Sequence, residues 1–188
     1  MVMMESDSEL SRGDAAPTFD LPGTDGETYS LDSFADNEAL LVVFTCNHCP
    51  YAKAKIPLLN DIAVEYDDVG VVGINSNDAD EYPDDSFEAM QEWVRDGRIQ
   101  YDAYLRDESQ AVAREYGAVC TPDPFLFVRD GDEFVLAYHG RLDDAPNPDD
   151  EPSEFYVRQA IDAVLAGDDV SLDDVPSRGC SIKWKDEN

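Results

Sequence analysis

Two rhythms of apolar positions run along this chain, and together they predict its elements. The runs ALLVVFT at 39–45 and VGVVGINSN at 69–77 are almost continuously apolar and rich in β-branched residues. That pattern suits strands buried on both faces of a sheet. Between them, Ile56, Leu59, Ile62, Ala63 and Tyr66 recur at spacings of three and four. This predicts a helix from about Cys49 to Tyr66, which Pro57 must kink or restart. Ser86 opens and Gly97 closes a second helix over SFEAMQEWVRDG, and SQAVAREYG is a third, ending at Gly117. The last helix spans 153–167, capped by Ser153 and ended by Gly167.

Shorter signals complete the order. The stretch PTFDLPGTDGETYSLDSF reads as two strands around a turn at Thr24-Asp25-Gly26, and YDAYLRD as a short strand. FLFVRDGDEFVLAYHGRL is a hairpin around Asp130-Gly131. Strands alternating with helices imply an α/β fold with a parallel core, helices on both faces and an antiparallel edge. One domain over 15–170 is expected, between a disordered tail at 1–14 and an irregular tail at 171–188.

Charge changes the picture of partners. Asp and Glu number 43 against 13 Lys and Arg, a formal net charge of −30, and only 4 residues are lysine. Such a surface repels phosphate backbones and anionic bilayers, so neither nucleic acid nor membrane is an expected partner. With 19 aromatic residues and repeated apolar runs the chain is not an acidic disordered segment. Aspartate excess with lysine scarcity instead resembles proteins of salt-accumulating halophiles, where ions screen self-repulsion. The N-terminal residues lack a basic region followed by an apolar stretch, so a cytoplasmic protein is expected.

In that compartment the spacing Cys46-x-x-Cys49 points to chemistry before structural crosslinking. Cys46 falls where a strand gives way to a helix, where unpaired N–H groups stabilise a thiolate, and Cys49 one turn on can resolve a mixed disulfide. His48 beside Cys49, with Lys53 and Lys55 just beyond, would add positive potential. C-x-x-C is also half of many zinc sites, but the remaining donors Cys120, Cys180 and His139 are isolated in sequence. Redox chemistry is therefore favoured, with no cofactor and no resident metal expected. A metal carrier or sensor using Cys46, Cys49 and His48 or His139 stays open.

FTCNHCP after a buried strand, followed some seventy residues later by VCTPDPFLFV, resembles the thioredoxin fold. In that fold a Thr-Pro dipeptide with a cis proline packs beside the cysteine pair, and Thr121-Pro122 matches it. The resemblance implies a central mixed sheet flanked by helices, and a Thr121 backbone open to a substrate strand. The N-terminal hairpin, with TCNHCPYA, TPDPFLF, YHGRLDD and GCSIKWK, is more similar to redoxins related to the peroxiredoxin and alkyl hydroperoxide reductase (AhpC/TSA) branch, from about Pro17 to Lys185. Against the peroxiredoxin signature, Cys49 stands at the peroxide-attacking position, Cys46 replaces its Thr or Ser, Val42 replaces its Pro, and its Arg has no clear counterpart beyond Arg129 or Arg141.

The resemblance thus implies a thiol–disulfide oxidoreductase in which Cys46 attacks, Cys49 resolves and Thr121-Pro122 holds the substrate. Protein or small-molecule disulfides would be substrates and a thioredoxin-type protein the reductant. A thiol peroxidase acting on hydroperoxides through Cys49 is the alternative. Cys120 and Cys180 are candidate accessory thiols, with Cys46–Cys49 the expected couple. Cys120 would relay or trap a disulfide, or simply pack. Cys180 would resolve from the tail, or sit as an unpaired thiol in a flexible end.

Overall fold

The two apolar runs form the centre of a five-stranded sheet. The computed structural model describes residues 3–185. In chain order the strands are β1 (Met3–Glu5), β2 (Asp20–Pro22), β3 (Thr28–Ser30), β4 (Ala39–Phe44), β5 (Val69–Asn75), β6 (Ala103–Arg106), β7 (Cys120–Thr121), β8 (Asp123–Asp130), β9 (Glu133–His139) and β10 (Arg178–Ser181). The helices are α1 (Pro50–Lys53), α2 (Ile56–Glu65), α3 (Phe87–Arg95), α4 (Ala111–Tyr116) and α5 (Tyr156–Leu165). None is long and apolar enough to cross a membrane.

The main sheet runs β6-β5-β4-β8-β9, with β4, β5 and β6 parallel and β8 and β9 antiparallel. Every residue of β4 and β5 is buried, as continuous apolar runs require. The period of two then divides β4 between two cores. Leu40, Val42 and Phe44 face Tyr116, Phe125 and Phe127. Leu41 and Val43 face Leu59 and Ile62 of α2 and Val157 and Ile161 of α5. Each such aliphatic side chain contributes about 1.5–3 kcal/mol on burial. The expected hairpin β2–β3 forms a small sheet of its own, and β8–β9 turns at Gly131, whose φ is +65°.

Of the two outcomes expected at Pro57, the restart is the one found: the stretch 49–66 holds two helices, with Pro57 in the first turn of α2, where its missing N–H costs nothing. Lys55 caps α2, and its ammonium is buried against both Asp143 carboxylate oxygens at 2.8 Å and the Ala145 carbonyl at 2.7 Å. Three other expectations change. Ser153 does not cap α5, which starts at Tyr156; its hydroxyl donates to Asp144 at 2.6 Å instead. The tail expected to be disordered over 1–14 is tied down across residues 3–14. β1 pairs with β10, Ser8 donates to the Tyr116 carbonyl at 2.7 Å and Arg12 to the Val170 carbonyl at 2.6 Å. The irregular C-terminal tail holds β10, the middle strand of a second sheet, β1-β10-β7.

Candidate active site

β4 ends at Phe44 and delivers TCNHC into a turn that has no helical support of its own. Buried polar groups hold that turn. Thr45 N–H donates to the Ile74 carbonyl at 2.9 Å, extending the β4–β5 pairing by one residue. Asn47 is wholly buried; its N–H donates to Asp85 at 2.6 Å, and its side-chain oxygen accepts from the Tyr104 hydroxyl at 2.7 Å. Asp85 also accepts from the side chains of Asn75 at 3.2 Å and Asn77 at 3.0 Å, and from His48 Nδ1. Burial pushes the Asp85 carboxyl up, but hydrogen bonds from His48, Asn77 and the Asn47 N–H outweigh it and leave it below its ordinary value. A buried carboxylate with so full a set of donors is a fixed anchor.

Cys46 sits behind this anchor. It is 1% exposed, and its Sγ lies 3.5 Å from Thr121 Oγ1. Its thiol is pushed up to about 12, first by burial and then by the Asp85 charge. The Thr121 hydroxyl and the N–H groups of Cys49 and His48 only partly oppose this. The expected activation of Cys46 by a following helix is therefore corrected. α1 has four residues and begins after Cys49, which is its N-cap, so Cys46 lies outside it. The positive island is corrected as well. Lys55 is taken by Asp143, and Lys53 lies 5.9 Å over the Trp93 ring. His48 points its Nδ1 at Asp85 and stacks on Tyr82, with ring centres 5.0 Å apart.

Cys49 is bonded not to Cys46 but to Cys180, 131 residues away, with the two Cα atoms 6.3 Å apart. The expected couple thus stands as neighbours, while the bond present joins Cys49 to the tail. Cys46, Cys49 and Cys180 pack as one buried cluster with Ala52. The Thr121–Pro122 peptide is cis, and the Thr121 carbonyl oxygen lies 3.7 Å from Cys49 Sγ. β10 lies antiparallel on β7 beside it, with Cys180 opposite Thr121 and Ser181 opposite Cys120.

Cys120 is a free, buried thiol under that strand, pushed well up by burial and by Asp123. Asp123 accepts from Ser177 Oγ at 3.1 Å and bonds His139 Nε2 at 2.6 Å, so His139 is committed away from the cysteine pair. Of the metal donors expected from sequence, Cys46 and His48 are brought together, but Cys49 is in a disulfide and His139 faces Asp123. Among the described residues their third neighbour is Asp85, and the three donor atoms lie within 4.8 Å of one another. Neither arginine candidate serves the sulfurs. Arg129 bonds the carbonyls of Phe34, Ala35 and Asn37, and Arg141 that of Pro176.

Sequence reasoning missed Asp85, Asn47 and Asp123. Asp85 carries a faint signal, since it directly precedes the helix cap Ser86. Nothing local marks it as one aspartate of 29 aimed at a turn 38 residues away.

The profile of the AhpC/TSA family matches residues 12–138. The thiol:disulfide interchange protein DsbE of Haemophilus influenzae is 28% identical over 102 residues, which cover 54% of this chain and 51% of that protein. The chain thus spans about half the length of that curated relative. Two crystal structures match nearly end to end. An uncharacterized conserved protein from Geobacillus kaustophilus is 37% identical with a TM-score of 0.87, covering 100% of this chain and 99% of that one. A hypothetical protein from Sinorhizobium meliloti 1021 is 40% identical with a TM-score of 0.84, covering 96% and 98%. The mixed sheet with its flanking helices is the thioredoxin-like fold.

Proposed function

Because the chain belongs to the AhpC/TSA family, we propose that it is a cytoplasmic thiol–disulfide oxidoreductase working through Cys46 and Cys49. One observation carries this reading: Cys49 already holds a disulfide to a cysteine on an extended strand seated beside Thr121 and cis-Pro122. A substrate cysteine in that seat meets Cys49 first and Cys46 behind it. In the reduced protein, Cys49 attacks the substrate disulfide, forms a mixed disulfide and releases one substrate thiol. Cys46 then attacks Cys49 Sγ, closing Cys46–Cys49 and releasing the second thiol. The roles are reversed relative to the sequence expectation, because Cys49 is the sulfur bonded to the strand in that seat and the Cys46 thiol is held protonated.

The substrates on this reading are protein or small-molecule disulfides, and the protein's own disulfide is returned to dithiol by a thioredoxin-type reductant. The assay is reduction of glutathione disulfide and insulin. Cys49→Ser should lose the reaction, whereas Cys46→Ser should accumulate a mixed disulfide on Cys49; an undiminished rate in Cys49→Ser refutes the proposal.

Two further parts of the proposal rest on composition and thiol state. The net charge of −30 supports a protein built for molar salt, so its melting temperature should climb with KCl as ions screen the surface. A C-x-x-C pair in a chain with only 4 cysteines supports a reducing compartment, which trapping thiols in whole cells before lysis would test. A second reading, thiol peroxidase, is favoured by Cys49 standing before Pro50 and pairing with a distant cysteine. Against it, Arg129 and Arg141, the two arginines considered for polarising a bound peroxide, bond backbone carbonyls instead. Sulfenic acid at Cys49 under stoichiometric peroxide is its test.

A further inference from the structure

We infer that β10 is a built-in occupant of the substrate groove and that Cys180 is a third redox cysteine, released when Cys46 displaces it from Cys49. This rests on the oxidoreductase reading above and adds what governs access to its site.

The seat is shaped for a strand. β10 lies antiparallel on β7 in the register that brings Cys180 opposite Thr121, and its sulfur completes the buried cluster around Cys49. Gly179 makes that register possible. A Cβ there would come within 1.7 Å of the Thr121 carbonyl oxygen, a backbone atom that cannot step aside. The tail is built as a tether: residues 166–177, between α5 and β10, contain no helix or strand. Outside β10 the cover is thin, only the three exposed residues of β1. A four-residue strand flanked on its outer side by exposed β1 and fed by an irregular tether belongs to the more readily opened part of a fold. Its attachment to the chain gives Cys180 a high effective concentration at the groove.

With β10 in place the site is shut. Cys46, Cys49 and Cys180 are each no more than 1% exposed. Opening needs no outside oxidant or reductant. The Cys46 sulfur attacks Cys49 Sγ; the Cys46–Cys49 bond forms as Cys49–Cys180 breaks. Cys180 departs as a thiol, taking up the proton Cys46 gave up, and the number of disulfides is unchanged. β10, no longer covalently held, yields the edge of β7 to an incoming strand. In the register that β10 occupies, that strand carries cysteine opposite Thr121 with glycine before it.

The test is disulfide mapping of the full-length protein by acid quenching, alkylation and mass spectrometry across a glutathione redox series. Oxidised wild type should carry Cys49–Cys180 in equilibrium with Cys46–Cys49, and Cys46→Ser should be held entirely as Cys49–Cys180. Gly179→Ala touches no sulfur, yet should shift the wild-type ratio toward Cys46–Cys49 by at least about tenfold. Hydrogen exchange at residues 178–181 should speed up at least about tenfold on reduction of wild type, a readout independent of any variant's folding. A Cys180 that is alkylated in every oxidised wild-type sample, an unchanged ratio in Gly179→Ala, or equal exchange in both states overturns the inference. Those results leave glutathione-disulfide reduction by Cys49 standing. Wild-type turnover in Cys49→Ser instead removes the oxidoreductase reading while the mapped bonds remain.

Discussion

The surroundings of Cys46 and of Cys120 are assembled from the same parts. Both thiols are buried and free. Each has a hydroxyl close by that eases its ionisation, Thr121 for Cys46 and Ser177 for Cys120. Each has an aspartate close by that is paired with a histidine, Asp85 with His48 and Asp123 with His139. Each of those histidines lies flat on an aromatic ring, His48 on Tyr82 and His139 on Phe125. Both thiols are pushed up, first by burial and then by the aspartate. The difference is sulfur. Cys46 packs in one cluster with Cys49 and Cys180, whereas Cys120 is outside that cluster. Burial and a nearby carboxylate set how hard a thiol is to ionise; a neighbouring disulfide decides whether that thiol has anything to attack.

The largest effect expected to sharpen this contrast is on stability. The Cys49–Cys180 bond closes a loop of 131 residues, so its reduction should cost about 5 kcal/mol by restoring freedom to the unfolded chain. Urea unfolding with and without reductant measures it, and Cys120→Ser should leave that difference intact. Next comes turnover. Cys49→Ser should lower glutathione-disulfide reduction roughly a thousandfold, about 4 kcal/mol, while Cys120→Ser stays within about twofold of wild type. Equal losses in the two variants would erase the distinction drawn between the thiols.

A smaller effect reads the Asp85 carboxylate by pH. Asp85 has a folded-state pKa below its ordinary value, so the folded protein holds fewer protons there than the unfolded chain near pH ~4. Its contribution to stability is therefore complete above that pH and drains away as the pH falls through the folded value. Melting temperatures from pH 3 to 7 should show a shallower acid limb in Asp85→Asn than in wild type; an identical limb would contradict the depressed pKa. The smallest is a rate profile. With its thiol held up to about 12, Cys46 in the reduced protein should react with iodoacetamide about tenfold faster per pH unit and reach no plateau by pH ~10. A plateau near neutrality would mean that the thiolate is stabilised after all.

Much of the molecule is legible along the chain because its signals are local. Continuous β-branched runs can only be central strands, and β4 and β5 are buried throughout. Ser86 caps α3 by accepting from Ala89 N–H at 3.1 Å, and Gly117 ends α4 with φ at +71°. The Thr-Pro dipeptide signalled its place beside the cysteines through a family resemblance, and Thr121 does lie 3.5 Å from Cys46. The tails misled, because residues 3–5 and 178–181 carry little periodicity and become strands only by pairing with each other and with β7.

What the amino-acid order determined by itself was therefore the sheet's central strands, the helices, the acidic surface and the presence of two cysteines where β4 ends. Each of these follows from side chains a few residues apart. Tertiary structure alone decided which sulfur meets which, and which of 29 aspartates anchors the turn. It also decided that Cys46 is harder to ionise than a free thiol. Those outcomes depend on burial and on contacts across 38, 75 and 131 residues, distances over which no pattern in the chain encodes direction.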